Sequence, residues 1–121
     1  YMPYSDPARP FVKNWFASSE GANVTTFNRL LSERNQDSLE EDGGACIVYT
    51  HFASGFLSDG ALEPRFVELM NRLARKGGWF VPVATLLDYL ATVHGPTAIS
   101  PNQRAALERK WLRSKVRVGA T

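Results

Sequence analysis

The chain has 121 residues, 44% of them hydrophobic and 21% charged, with a formal net charge of +2 at pH 7. These values are close to the averages of globular proteins, so they exclude a disordered chain, a collagen-like repeat and a disulfide scaffold. The single cysteine, Cys46, cannot form an internal disulfide and indicates no redox compartment. No apolar run approaches the roughly 20 residues of a membrane span. Because the sequence begins with Tyr1 and has no signal-peptide pattern, we expect a processed chain or a fragment.

The first half of the chain alternates irregular and periodic segments. Residues 1–24 contain three prolines and predict an irregular lead-in, with one short extended piece near Phe11-Val12. Apolar residues at helical spacing then predict a short amphipathic helix over residues 25–33. The acidic residues within 37–42 indicate a solvated turn, which the pair Gly43-Gly44 closes.

The following segments have the pattern of alternating strands and helices. Residues 45–50 form a continuous apolar, β-branched run, which is typical of a strand buried on both faces of a parallel sheet. A helix is expected to begin at Pro64, a second strand to span residues 79–81, and another helix to cover residues 86–93 before Gly95. This βαβα order requires parallel strands joined by helical crossovers and places the chain in the α/β class.

A last helix is predicted near the carboxyl terminus. Ser100 and Gln103 have the spacing of a capping box, and the helix should run to about Lys115. We therefore divide the chain into three parts: the irregular lead-in (1–24), the βαβα part (25–99), and the C-terminal helix with a basic tail (100–121).

Positive charge is concentrated in that tail. Residues 102–121 carry six basic residues and one acidic residue, a net charge of +5, whereas the rest of the chain has a net charge of −3. Basic and aromatic side chains together can contact nucleic acid. However, Leu107 and Trp111 are spaced as the buried edge of a helix, which would leave the basic residues on its solvated side. The sequence therefore predicts that nucleic acid is not a partner of this chain.

His51 is the first candidate for chemistry, because functional groups gather at the carboxyl ends of parallel strands. Strand alternation places Tyr49 on the same face as His51, and Phe52 opens a loop able to line a pocket. We therefore predict His51 as a catalytic residue and Tyr49 and Phe52 as substrate-binding residues. The alternative is a structural histidine that caps the strand. His94, in the last turn of a helix, is predicted to be structural, and no complete metal-ligand spacing occurs in the chain.

Three segments carry a resemblance to a known family. They read GACIVYTHF at residues 44–52, GWFVP at residues 78–82 and LLDYL at residues 86–90. With these segments the chain, over about residues 25–115, resembles the C-terminal part of polysaccharide deacetylase-like proteins, the NodB-homology carbohydrate esterases. The resemblance implies the C-terminal βαβα portion of a distorted (β/α) barrel with a final capping helix. It also implies that His51 is the late general acid, and that the full-length family uses a divalent metal such as zinc.

The family's other motifs do not occur in these residues. Its Asp-Asp segment and its His-x-x-x-His metal ligands are absent, and Tyr49 stands where the family more often has Leu. The implied function is the C-terminal segment of a metal-dependent N-acetyl-sugar deacetylase, incomplete alone, that needs the N-terminal part of the barrel and a carbohydrate substrate. The alternative is a non-catalytic α/β module for carbohydrate binding or assembly, in which His51 is structural.

Overall fold

A computed structural model describes residues 3–118 of the chain, which adopts a mixed α/β structure. Its contacts define two compact units. We call Ala17–Pro82 the central unit, and residues 3–16 together with 83–118 the terminal unit. Among the described residues, no helix combines the length and hydropathy needed to cross a membrane.

The central unit contains four short strands and three helices. In chain order they are β1 (Ser19–Gly21), α1 (Val24–Leu30), α2 (Glu33–Glu41), β2 (Val48–Thr50), β3 (Leu57–Ser58), β4 (Ala61–Leu62) and α3 (Pro64–Arg75). β1 and β2 are parallel, so the chain crosses over through α1 and α2. β3 and β4 form an antiparallel hairpin around Asp59 and Gly60, which both have positive φ, as a type I′ turn requires.

α1 confirms a helix in the region predicted from residues 25–33, although it begins and ends earlier. Asn23 caps its start through a capping box, because its Oδ1 accepts a hydrogen bond from the Thr26 N–H at 2.9 Å and its own N–H donates to Thr26 Oγ1 at 3.1 Å. The helix ends at Leu30 because Ser32 adopts an extended ψ of 157° and becomes the N-cap residue of α2.

α2 overturns the prediction of an acidic solvated turn at residues 37–42. Its side chains are held by partners from α3, more than 30 residues later in the chain. Buried Gln36 donates to the Leu69 carbonyl at 3.1 Å, and Arg72 donates to both carboxylate oxygens of Asp37 at 2.8 and 3.0 Å. Lys76 also donates to Asp37, at 2.7 Å. A short window of sequence contains the acidic residues but not the cations that bind them, so it does not predict this helix.

α3 confirms the predicted helix. Glu63 caps its start by accepting from the Phe66 N–H at 2.6 Å, and Pro64 occupies the first turn. The helix stops at Gly77, whose φ of +68° ends it in the left-handed conformation. Leu69 lies on the inner stripe and is fully buried.

An aromatic cluster forms the core of the central unit. Phe56 is almost fully buried, and its ring centroid lies 5.2 Å from that of Phe27 and 5.2 Å from that of Phe66. The edge-to-face angles of 79° and 89° match the favourable geometry of aromatic pairs. Because these rings come from α1, α3 and the loop after β2, the cluster fixes that loop against two helices.

Two strand predictions are wrong. β2 covers only residues 48–50 of the predicted 45–50 and is not buried on both faces, since Tyr49 is 51% exposed. The predicted strand at residues 79–81 is absent: Trp79 and Phe80 are exposed in an irregular segment. A strand needs a neighbour for its backbone hydrogen bonds, and among the described residues β2 pairs with β1 instead, a strand in the predicted lead-in.

The terminal unit is built from α4 (Val83–His94) and α5 (Pro101–Val118), together with the residues that precede the central unit. Both helices were predicted, and the expected capping box is present: Ser100 N–H donates to Gln103 Oε1 at 2.8 Å. Asp6 is buried and accepts hydrogen bonds from the Ala8 N–H and from the guanidinium of Arg104. These contacts anchor the first turn of α5 to the start of the chain.

The predicted buried edge of α5 is wrong at one of its two positions. Leu107 is half-buried, but Trp111 is 62% exposed. α5 also extends beyond the predicted end near Lys115, to Val118. The tail residues 119–121 lie outside the described residues.

Candidate functional site

The structure places His51 directly after the last residue of β2, so its predicted position at the carboxyl end of a parallel strand is confirmed. Its Nε2 lies 3.2 Å from the hydroxyl oxygen of Tyr49, within hydrogen-bond distance. The two rings meet edge to face, with centroids 5.0 Å apart. Both side chains are exposed. The prediction that they share one face of the strand is therefore confirmed as well.

Backbone contacts hold His51 on both sides. Before it, Thr50 pairs in register with Gly21 of β1 and donates from its Oγ1 to the Gly21 carbonyl at 2.6 Å. After it, Ser54 donates its N–H to the His51 carbonyl at 2.9 Å, which closes a turn. Ser54 in turn accepts from the Val24 N–H at 3.0 Å, at the start of α1. The histidine thus stands on a fixed backbone although its side chain is in solvent.

Gly21 allows β1 to approach α1 closely. A Cβ on Gly21 would lie 2.8 Å from the Cα of Phe27, a distance that real Cβ atoms essentially never show. Glycine is therefore required at this position for the strand to lie against the helix. The same residue receives the Thr50 hydrogen bond, so this close contact helps to set the position of β2 and of His51.

Phe52 connects the exposed site to the core. Its ring is 65% exposed, yet its centroid lies 5.1 Å from that of Phe56 and 6.4 Å from that of Phe66. The ring contacts of Phe52 are with the core, whereas Tyr49 and His51 contact each other. The structure thus brings two of the three predicted site residues into contact and places the third beside them in the chain.

Glu20 is a candidate site residue that the sequence did not reveal. It is the register partner of Tyr49 in the parallel pair, and both residues are exposed. Register partners on adjacent strands lie on the same side of a sheet, about 5 Å apart. The exposed face therefore carries a carboxylate, a phenol and an imidazole. No local signal marks Glu20, because its strand is three residues long and lies in a segment without apolar periodicity.

The imidazole of His51 can act in proton transfer from this position. One ring nitrogen, Nε2, contacts the Tyr49 hydroxyl, and within residues 3–118 the other, Nδ1, has no hydrogen-bond partner. When the ring is protonated both nitrogens are donors, so Tyr49 can accept from one while the other faces a ligand. When the ring is neutral, the hydroxyl can donate to Nε2 and hold the ring in place.

The described residues do not assemble a metal site. Within residues 3–118, no group of three or more His, Cys, Asp or Glu side chains is arranged to hold a metal ion. The second histidine, His94, is exposed in the last turn of α4, as predicted, and Cys46 is exposed and free. The residues present therefore do not fit the zinc centre that the family resemblance implies.

No protein-family model, curated protein or solved structure matches this chain.

Proposed function

We propose that the chain is the C-terminal segment of a deacetylase-like hydrolase that acts on N-acetyl sugars, with His51 as its general acid. The observation that carries the proposal is the exposed imidazole at the carboxyl end of a parallel strand, 3.2 Å from the Tyr49 hydroxyl. The β1–β2 pair, joined through helices, is a unit from which (β/α) barrels are built. In this proposal the chain closes such a barrel, and its remaining strands belong to a segment that precedes it.

The reaction is hydrolysis of an acetamide. Water adds to the carbonyl carbon, the C–N bond breaks, and acetate and a free amine leave. A base takes one proton from the water, and the amine nitrogen takes a proton from the His51 imidazolium. A divalent metal such as zinc would supply activated water in this chemistry. Because the described residues do not hold such a metal, its ligands and the base belong to the preceding segment, and the chain alone is incomplete.

Tyr49 and Phe52 have binding roles in this proposal. The Tyr49 hydroxyl orients the imidazole, and the exposed aromatic faces offer a surface on which the apolar face of a sugar ring can lie. Phe52 is supported from behind by Phe56, so its ring is held in place before a ligand arrives. The substrate is accordingly a carbohydrate that reaches the carboxyl end of β2.

A second function, a non-catalytic carbohydrate-binding module, is favoured by a different observation. Tyr49 and Phe52 expose more than half of their side chains, and no described group of ligands accompanies them. In this alternative the ring of His51 only fixes the orientation of Tyr49. Both functions require carbohydrate binding at the same surface, but only the first requires a proton from His51.

The test compares the two histidines of the chain in the intact protein that carries it. His51→Ala should lower the rate of acetate release from an N-acetylglucosamine oligomer about 100-fold or more, the usual contribution of a general acid. His94→Ala is the matched control and should leave the rate unchanged. Acetate release unaffected by His51→Ala would overturn the catalytic role.

Binding separates the two functions when acetate release is absent from the wild type. The 121-residue chain is titrated with the same oligomer while the amide resonances of residues 49–52 are followed by NMR. If the intact wild-type protein releases no acetate, shifts that Tyr49→Ala and Phe52→Ala abolish would establish the binding module and overturn the hydrolase. If no shift appears even in a large excess of the oligomer, the binding module is overturned.

A further inference from the structure

The second half of α5 presents two distinct faces to solvent. At 100° per residue, one face carries four cations: Arg109, Lys110, Arg113 and Arg117. We call these four residues the basic face. The other side carries Trp111, Leu112 and Val116, which are 62%, 57% and 79% exposed, and we call them the apolar face. Large apolar side chains that are this exposed and this close together mark an interaction surface.

The basic face has no counter-charge in the described part of the chain. None of its four cations makes a salt bridge with a residue in 3–118, whereas Arg104 and Glu108, which precede them in α5, are both paired. In the central unit, Arg65, Arg72 and Lys76 are likewise paired, with acids of α2. The surplus positive charge of the C-terminal region is thus concentrated on one exposed strip, which is complementary to an anionic partner.

A partner of this part of α5 should contact both the basic face and the apolar face. The backbone of a nucleic acid would engage the cations through its phosphates and would leave Leu112 and Val116 in water. A protein groove binds a narrow stripe of apolar residues spaced three, four and seven apart. Here the apolar positions 111, 112 and 116 spread over about 140° of the helix, at 100° per residue, which suits a broad surface better than a groove.

We propose that the second half of α5 binds an anionic lipid surface, lying in the plane of the headgroups. The arginines contact lipid phosphates and carboxylates, while Trp111, Leu112 and Val116 insert below them, as in other interfacial helices. The pairing of Arg104 with Asp6 holds the first half of the helix to the terminal unit, so the second half is the part presented to the membrane.

The test measures co-sedimentation of the 121-residue chain with vesicles. Binding is expected to phosphatidylserine-containing vesicles, to be much weaker to pure phosphatidylcholine, and to fall in about 1 M salt, where the Debye length is about 3 Å. Arg109→Gln with Arg113→Gln should weaken binding roughly 30-fold, since each arginine near such a surface raises the affinity about five-fold.

A matched control and an apolar variant complete the experiment. Arg34→Gln with Arg75→Gln removes the same charge from two exposed arginines that make no salt bridge with residues 3–118, and should leave binding within about two-fold. Leu112→Ser with Val116→Ser should reduce vesicle binding but leave retention on heparin unchanged, because only the lipid contact uses these side chains. Circular dichroism establishes that each variant retains its helices.

Four outcomes would overturn the proposal. They are equal binding to both vesicle types, no binding to either, equal weakening by the control pair, and binding of a DNA duplex in the absence of vesicle binding. The last would assign the basic face to nucleic-acid phosphates instead. A blue shift of tryptophan fluorescence with anionic vesicles, lost in Trp111→Phe, would place Trp111 in the bilayer interface and support the proposal.

Discussion

α3 and α5 are both rich in cations, yet they use them in different ways. Arg65 and Arg72 of α3, and Lys76 directly after it, each donate to carboxylates of α2, while Leu69, on the same side of α3, is fully buried. On α5, the four cations of the basic face make no salt bridge with residues 3–118, and the three side chains of the apolar face are exposed. The same residue types therefore form a packed element in one helix and an open surface in the other. Charge content alone does not distinguish the two.

The largest expected effect tests the packed side of this comparison. Leu69→Ala should lower the free energy of unfolding by about 2–5 kcal/mol, because it removes buried methyl groups from a position without solvent access. Chemical denaturation followed by circular dichroism measures the change. A loss below about 1 kcal/mol would mean that the site repacks freely and that α3 is less tightly held than its contacts indicate.

The next largest effect is expected at the buried carboxylate of Asp6, which binds Arg104 in the first turn of α5. The hydrogen bond from Arg104 holds the pKa of Asp6 below its ordinary value, with further contributions from the Ala8 N–H. Asp6 therefore stabilises the folded state above pH of about 4 and loses this contribution as the pH falls through its lowered pKa. Asp6→Asn should lower the protection factors of the α5 amides at pH 7, and it should remove most of the difference in these protection factors between pH 7 and pH 3.

The half-exposed ion pairs between α2 and α3 should make stability depend on pH in the same direction, but less strongly. Hydrogen bonds from Lys76 and Arg72 lower the pKa of Asp37, so its stabilising contribution is present above about pH 4 and is lost in more acidic solution. Arg72→Met should lower the denaturation midpoint more at pH 7 than at pH 3, where the main remaining loss is the hydrogen bond from Arg72 to Gln36 Oε1. The matched substitution Arg113→Met on α5 should change neither, and a change at pH 7 would reveal an ion pair in solution.

The sequence predicts the helices whose signals are local. Pro64 and Gly77 bound α3, and Ser100 with Gln103 begins α5, because caps and breakers act within four residues. α2 has no such local signal, since its acids are stabilised by cations 32 to 39 residues away. β1 lacks a local signal for a similar reason: its three residues form a strand only through their pairing with β2.

The candidate site likewise contains residues that local sequence patterns predict and residues that they do not. Strand alternation is a local property, and it predicts that Tyr49 and His51 lie together, as they do at 3.2 Å. Glu20 comes from a different strand and could be placed beside Tyr49 only once the register was known. The exposure of Trp111 was also beyond the sequence, because an apolar pair four residues apart has the same pattern whether or not another element covers it.

The smallest expected effect tests the open side of the comparison. Leu112→Ala and Val116→Ala should change the free energy of unfolding by no more than about 0.5 kcal/mol, because the two side chains are already 57% and 79% exposed and lose little buried area. The measurement is chemical denaturation at two protein concentrations. A loss of about 2 kcal/mol at both would show that another part of the chain covers this face in solution, and the contrast with α3 would disappear. A loss only at the higher concentration would show that copies of the chain cover it for one another. With neither loss, the apolar face stays open in solution, which is the condition for its contact with a lipid surface.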